Sequence, residues 1–374
     1  MRIQQPIAQT IPALTGIRAL AALLVLSIHT HQNVPTNIVA YFPFINRGYL
    51  GVDFFFVLSG FIITHVYLAS FNTLNGKVLR VFFWHRFIRL YPVHVAVLLF
   101  MIGMVCFSRA AGRPISAENF NSVDLIWQFT LVHAWGVTDV ATWNVPSWSI
   151  SAEWFAYLLF PFLAIFLNRI SRARIAYLLS MFSLAVMAAL FFLIGSGIDS
   201  WNGPPALLRV TGEFICGAAL CRAISIEALS GQRRWSGDLL GAAAFAGFLV
   251  SASIGFSDYL LVGFLTLTIM GAAVADGFLK TLLASSVMVW LGEISYSVYM
   301  VHFPILIVLR RIYERLGYEG WNWPFQAIAF LVALTAVIAA AAALYYLVER
   351  PMRTRLRNRF GELAHRSSTG KSLA

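Results

Sequence analysis

The 374-residue chain is 59% apolar and only 11% charged, with a mean hydropathy of +0.76 and a formal net charge of +11. Soluble domains average roughly 45–50% apolar and about 25% charged, so the composition excludes a water-soluble globular domain, a disordered chain and a collagen-like one. The basic excess reads as membrane topology rather than as a nucleic-acid surface, because Lys and Arg collect in cytoplasmic loops.

Hydropathy predicts ten spans, at about 11–31, 48–68, 88–108, 148–167, 174–195, 204–224, 236–254, 258–279, 286–309 and 325–348. Each is close to the ~20 residues a helix needs to cross a bilayer. The first carries Arg18 in its middle and lacks a small-x-small cleavage site, so it reads as a retained span and not a signal peptide. Leu125–Trp135 is too short to cross and fits a re-entrant or interfacial helix. With the N-terminus inside, 19 of the 27 Lys and Arg fall in cytoplasmic segments, among them Arg2, Arg233, Arg234 and seven in the C-terminal tail, Arg366 and Lys371 included. Six lie outside (Arg47, Arg109, Arg113, Arg310, Arg311, Arg315), and Arg18 and Arg209 sit within spans. Counting Leu125–Trp135 as a span inverts most of that bias. The expected fold class is therefore an all-α polytopic integral membrane protein. It is a bundle of about ten transmembrane helices plus one short re-entrant or interfacial helix, with both termini cytoplasmic. Residues 1–360 form the membrane domain and 361–374 a disordered cytoplasmic tail.

Ionisable groups at bilayer depth cost about 2.5–3.5 kcal/mol each on insertion scales, so each needs a reason. Arg18 and His29 are eleven residues apart, on one face of the first span and ~16 Å apart along its axis. From that helix alone, the plainer reading is that Arg18 snorkels inward and His29 marks the outer interface. Other spans add to it. Asp53, then Trp148, Ser149, Ser151 and Glu153, then Arg209 with Glu213, then His302 all fall in the outer halves of their spans. Arg209 and Glu213, one turn apart, fit an intrahelical ion pair. The topology rests on Lys and Arg alone, yet it brings these groups to similar depth, which points to a water-accessible polar site in the outer half.

At the inner side Arg86 and Arg89 lie one turn apart in WHRFIRLYP. Two forked guanidinia suit a phosphate-bearing ligand, with Arg18 above them, although a positive-inside anchor explains the same residues. The terminal YYLVERPMRTRLRNRF reads as a helix ended by Pro351 and followed by headgroup-binding arginines. Gly51 and Gly60 read as helix-packing positions. Cys106, Cys216 and Cys221 lack metal-ligand spacing and read as core residues, so no metal is expected. A Walker-type loop, a GxSxG elbow and an HExxH motif are absent from the sequence.

Taken in order, Arg18 and His29 with ten residues between them, GVDFFFVLSGF, Arg86-x-x-Arg89 in RFIRLYP, WSISAEWFAYLLFP, LGEISYSVYMVH and the terminal ERP resemble the acyltransferase 3 family of membrane O-acyltransferases. These pieces run from Thr15 to Pro351. The resemblance implies a bacterial inner-membrane enzyme that takes an acyl group, usually acetyl, from cytoplasmic acyl-CoA as co-substrate, with no permanently bound cofactor. The acceptor is a hydroxyl of an extracytoplasmic or lipid-linked sugar, as in exopolysaccharide or lipopolysaccharide modification. It attaches catalysis to His29 and acyl-CoA binding to Arg86 and Arg89, and marks Arg18 as required. Some members carry a C-terminal hydrolase-like domain. This sequence ends about 25 residues after its last expected span, so any partner for final delivery, such as a polysaccharide-assembly protein, is expected to be separate.

The expected mechanism has Arg18, Arg86 and Arg89 binding acyl-CoA. His29 acts as base or nucleophile, oriented by Asp53 or Glu153. Trp148, Ser151, Arg209 and His302 are the expected substrate-side residues, with Arg209, Ser151 or Trp148 as oxyanion donor. Trp127, Trp135, Trp143 and Trp148 are candidates for stacking on a sugar, or equally an interfacial girdle. Membrane lipids are expected partners and nucleic acid is not. Two rival readings remain at this level: a proton-coupled exporter of a glycan or small solute, and a non-catalytic component of a polysaccharide assembly.

Overall fold

A computed structural model of the chain describes residues 11–34, 36–112, 118–138, 140–230, 236–318 and 321–369, the side chains of 230 and 360–369 excepted. The described residues hold helices and no strand. Arg2, Arg113, Arg233, Arg234 and Lys371 lie outside them, as does the side chain of Arg366.

Each expected span falls on a helix. These are α1 (Pro12–Asn33), α2 (Gly51–Tyr67), α3 (Gly76–Ala110), α4 (Trp148–Asn168), α5 (Ala173–Ile194), α6 (Gly203–Ser230), α7 (Gly237–Ser253), α8 (Asp258–Val274), α9 (Ser286–Arg315) and α10 (Trp323–Leu344). Among the described residues, seven segments, containing α1 to α5, α9 and α10, are long and apolar enough to cross a membrane. The helix α6 has the length but carries Arg209, Glu213, Arg222 and Glu227, and α7 and α8 are apolar but only 17 residues long. The chain is a multi-pass membrane protein, with seven spans standing on composition and three of the expected ten short of it.

The segment expected to be re-entrant forms a helix only over Leu125–Thr130 and then turns at Leu131, whose φ is 58°. Six residues rise about 9 Å, far too little to cross. At the other end of the bundle Pro351 does not stop the chain. Tyr345–Glu349 winds as a π turn and a further helix, α11 (Arg350–Thr369), follows. A π turn inserts an extra residue, and Pro351 then sits in the first turn of α11, where its missing N–H is tolerated. Helical backbone thus covers 361–369 of the tail expected to be disordered, and 370–374 lie outside the described residues.

The core sits on α1 and α9, whose spanning windows are 67% buried, whereas α5 and the α10–α11 segment are 22% and 28% buried and turn most of their surface outward to lipid. The helix α1 packs along α9, and α2 along α6. The α2–α6 crossing is close because both sides use glycine. A Cβ on Gly60 would overlap the Phe214 carbonyl, and one on Gly217 would overlap the Val57 carbonyl. That contact draws Asp53 of α2 onto Arg209 of α6.

Candidate active site

Two cavities lie end to end along the bundle. The first, about 80 Å³, is lined by Arg18, Ser59, Arg86, Arg89, Glu153 and Tyr157 among others, and lies toward the end where α1 begins. The second, about 270 Å³, is lined by His29, Gln32, Asn33, Tyr49, Trp148, Asp199 and Arg209 among others. Val52 and Tyr299 line both and form the partition between them. The Tyr299 hydroxyl donates to the Pro146 carbonyl (2.8 Å) and accepts from Ser149 Oγ (2.7 Å), which pins the ring at the waist. The smaller chamber holds a few water-sized volumes.

The eleven-residue spacing on α1 now has a meaning: Arg18 faces the first chamber and His29 the second. His29 Nδ1 donates to the Val25 carbonyl of its own helix at 2.9 Å. A ring nitrogen facing a carbonyl must carry the hydrogen, so Nε2 keeps its lone pair. The expected orientation of His29 by Asp53 or Glu153 does not occur, because both carboxylates are engaged elsewhere. Asp53 takes a fork from Arg209, Nε at 2.9 Å and Nη2 at 2.5 Å, in a pair that is 0% and 2% exposed. Glu153 accepts from Ser59 Oγ (2.5 Å) and the Tyr157 hydroxyl (2.6 Å) in the first chamber.

The Asp53 fork also replaces the intrahelical pair expected of Arg209 and Glu213. Both Glu213 oxygens are buried without a hydrogen-bond partner among the described residues. Arg209 still borders the second chamber, its guanidinium carbon 5.3 Å from the centre of the Trp148 ring, with Nη1 outside the Asp53 fork.

Two expected substrate-side residues are not in the site. Ser151 accepts from the Ala134 N–H (3.1 Å) and donates to the Leu131 carbonyl (2.8 Å), which ties down the loop between α3 and α4. His302 is 1% exposed behind His29, with ring centroids 4.8 Å apart, and its Nδ1 donates to the Tyr299 carbonyl. Of the four tryptophans, Trp148 lines the second chamber. Trp135 and Trp143 spend their indole N–H groups on the carbonyls of Ser151 and Asn121. The same loop is anchored on α3 by His94 and His133, whose rings stack at 5.9 Å, and His133 shares a hydrogen bond with Ser147 Oγ. Burial, with His94 beside it, pushes the His133 pKa down to about 3.

The arginines of the first chamber divide into two kinds. Arg89 is ion-paired with Glu349, which the π turn aims inward and Ser297 Oγ holds at 2.7 Å. Arg86 reaches the Tyr67 hydroxyl (3.2 Å) and lies over the Tyr67 and Tyr157 rings. Neither Arg86 nor Arg18 has a carboxylate at ion-pair distance among the described residues. Both are half-buried, and of the three arginines lining the first chamber Arg89 alone is ion-paired among the described residues. Glu349, Ser59, Tyr157 and Tyr299 escaped sequence reasoning. The ERP motif signals the glutamate, but nothing in it tells which way the side chain points.

Comparison with known proteins gives the geometry a family. Residues 11–344 match the acyltransferase 3 model, described as an acyltransferase domain. YrhL of Bacillus subtilis is 27% identical over 92% of this chain and 55% of its own length. The acyltransferase MdmB of Streptomyces mycarofaciens is 27% identical over 91% of both chains. The peptidoglycan O-acetyltransferase OatA of Listeria monocytogenes is 25% identical over 92% of this chain and 56% of its own. This chain therefore spans little more than half the length of YrhL and OatA, and nearly all of MdmB. No solved structure matches. With 334 residues under one family model, the chain belongs to the acyltransferase 3 family.

Proposed function

We propose that the chain is a membrane O-acyltransferase that moves an acyl group, acetyl in the first instance, from acyl-CoA to a sugar hydroxyl on the other side of the membrane. One observation carries the reading: the arginine-lined chamber and the histidine-lined chamber share a wall made by Val52 and Tyr299. The positive-inside bias makes the end bearing Arg86 and Arg89 cytoplasmic, and both termini with it. Acyl-CoA enters there, its phosphates meeting Arg86 and Arg18, the two guanidinia of the first chamber with no carboxylate at ion-pair distance among the described residues. The pantetheine arm runs past Tyr299 and presents the thioester below His29.

In the outer chamber His29 Nε2 takes the proton of the acceptor hydroxyl as that oxygen attacks the thioester carbon. The tetrahedral oxyanion lies near Arg209 Nη1 and the amide of Asn33, which supply donors. The C–S bond then breaks, and the imidazolium returns its proton to the departing thiolate, releasing CoA. Asp199, Gln32 and Asn33 bond sugar hydroxyls, and Trp148 offers a face to the ring. OatA acts by its name on peptidoglycan, and a glycan hydroxyl is the acceptor class proposed here, in a bacterial cytoplasmic membrane. The acyltransferase relatives favour transfer over the exporter reading.

The test is acyl transfer by purified His29→Gln. General base catalysis contributes about 10²–10⁴-fold, so kcat falls by that factor while acetyl-CoA still binds. A folded His29→Gln protein with wild-type kcat overturns the proposal.

A further inference from the structure

The basic end holds more charge than the first chamber uses. The helix α11 packs on α3, and the Trp84 indole N–H donates to the Leu356 carbonyl at 3.3 Å. Arg353 and Arg357 lie one turn apart on α11, so they share a face. Arg353 is half-buried and within electrostatic reach of Arg89, with Glu349 and Glu293 also nearby; Arg357 is within reach of His85. Tyr67 couples that site to the chamber, its hydroxyl donating to His85 Nδ1 (3.0 Å) and accepting from Arg86 Nη2. Neither Arg353 nor Arg357 has a carboxylate at ion-pair distance among the described residues. The result is a ladder of guanidinia, Arg357, Arg353, Arg86 and Arg18, rising from the basic surface into the bundle.

The ladder can be set against the length of the donor, on the acyl-CoA reading given above. Arg18 and His29 are eleven residues apart on α1, about 16 Å along its axis. A pantetheine arm stretched over that distance brings its thioester to His29 and its diphosphate to the level of Arg18 and Arg86. The ribose carrying the 3′-phosphate must then lie one step nearer the basic surface, where Arg353 and Arg357 stand. A phosphomonoester carries about −1.5 to −2 charges and three acceptor oxygens, which fits two forked guanidinia better than the single charge of a lipid phosphodiester does.

We propose that Arg353 and Arg357 form a phosphomonoester site that takes the ribose 3′-phosphate of CoA and makes the protein select CoA over 3′-dephospho-CoA.

The experiment is equilibrium binding of CoA and of 3′-dephospho-CoA to the purified full chain in nanodiscs of phosphatidylcholine, with and without phosphatidylglycerol. The wild type binds CoA about tenfold tighter than 3′-dephospho-CoA, equivalent to ~1.4 kcal/mol. The double variant Arg353→Gln/Arg357→Gln binds both with the affinity the wild type shows for 3′-dephospho-CoA, and Arg353→Lys/Arg357→Lys recovers part of the preference. Equal wild-type affinities for the two nucleotides, or a tenfold preference surviving in the glutamine variant, overturn the inference and leave the acyl-CoA reading standing. A preference absent in phosphatidylcholine, with the glutamine variant affected only when phosphatidylglycerol is present, assigns the arginines to lipid headgroups and also overturns it. No wild-type binding of either nucleotide overturns the acyl-CoA reading and this inference together.

Discussion

The inner chamber is walled by three guanidinia and a carboxylate held by two hydroxyls, whereas the outer chamber sets one guanidinium, already forked onto Asp53, and the Asp199 carboxylate among amides, an imidazole and an indole. Two interior arginines are answered, Arg89 by Glu349 and Arg209 by Asp53. Of the chamber-lining guanidinia, Arg18 and Arg86 are left open, and both face the inner chamber. Within the inner chamber the arginines thus divide by whether a carboxylate sits opposite, which their place in a motif does not reveal. Arg86 and Arg89 belong to one motif and fall on opposite sides of that line.

The comparison breaks most visibly at Glu349. Glu349→Ala strands the Arg89 guanidinium in a buried setting and costs about 3–5 kcal/mol, read as a lower melting temperature of the detergent-solubilised protein. A neutral pair, Arg89→Met with Glu349→Leu, recovers most of that stability. Ser151→Ala leaves the Ala134 N–H and the Leu131 carbonyl without their partner and costs about 1–3 kcal/mol. It leaves the donor Kd and the kcat of surviving protein unchanged, as befits a loop fastener. Arg18→Gln does the reverse. It weakens acetyl-CoA binding about tenfold, ~1.4 kcal/mol, and leaves the melting temperature equal or higher, because no ion pair is lost.

The smallest effect concerns pH. His133, in the loop between α3 and α4, has a pKa of about 3 against an ordinary 6.5. The unfolded chain therefore binds the extra proton between those values. The stability of this anchor is fully present above pH 6.5 and is lost as pH falls toward 3, at up to ~1.4 kcal/mol per pH unit. His133→Gln flattens that slope in melting temperature measured from pH 7 to pH 4.

Much of the helical layout was legible because bilayer spans are long and apolar. The ~16 Å separation of Arg18 and His29 along α1 follows from helix arithmetic, eleven residues at 1.5 Å each, but the two chambers they border do not. What stayed hidden depends on partners far along the chain. Asp53 and Arg209 are 156 positions apart, and only the glycine-on-carbonyl crossing of α2 and α6 decides that Asp53 meets Arg209 and not His29. Glu349 turns inward through a π turn, for which hydropathy carries no period. Ser151 looked chemical because a hydroxyl in an apolar span is conspicuous, yet it satisfies the backbone of an adjacent loop. Tyr299 was invisible for the opposite reason: one tyrosine among several in an apolar run gives no sign that it stands at a waist.

The central claim is that the donor enters one chamber and reacts in the other. Sealed inverted vesicles, with the basic end of the bundle facing out, are given labelled acetyl-CoA on the outside only, with a glycan acceptor trapped in the lumen. The account predicts label on lumenal glycan for wild type, none for His29→Gln, and none when right-side-out vesicles receive the same addition. Equal labelling from either side, or undiminished labelling by His29→Gln, would contradict it.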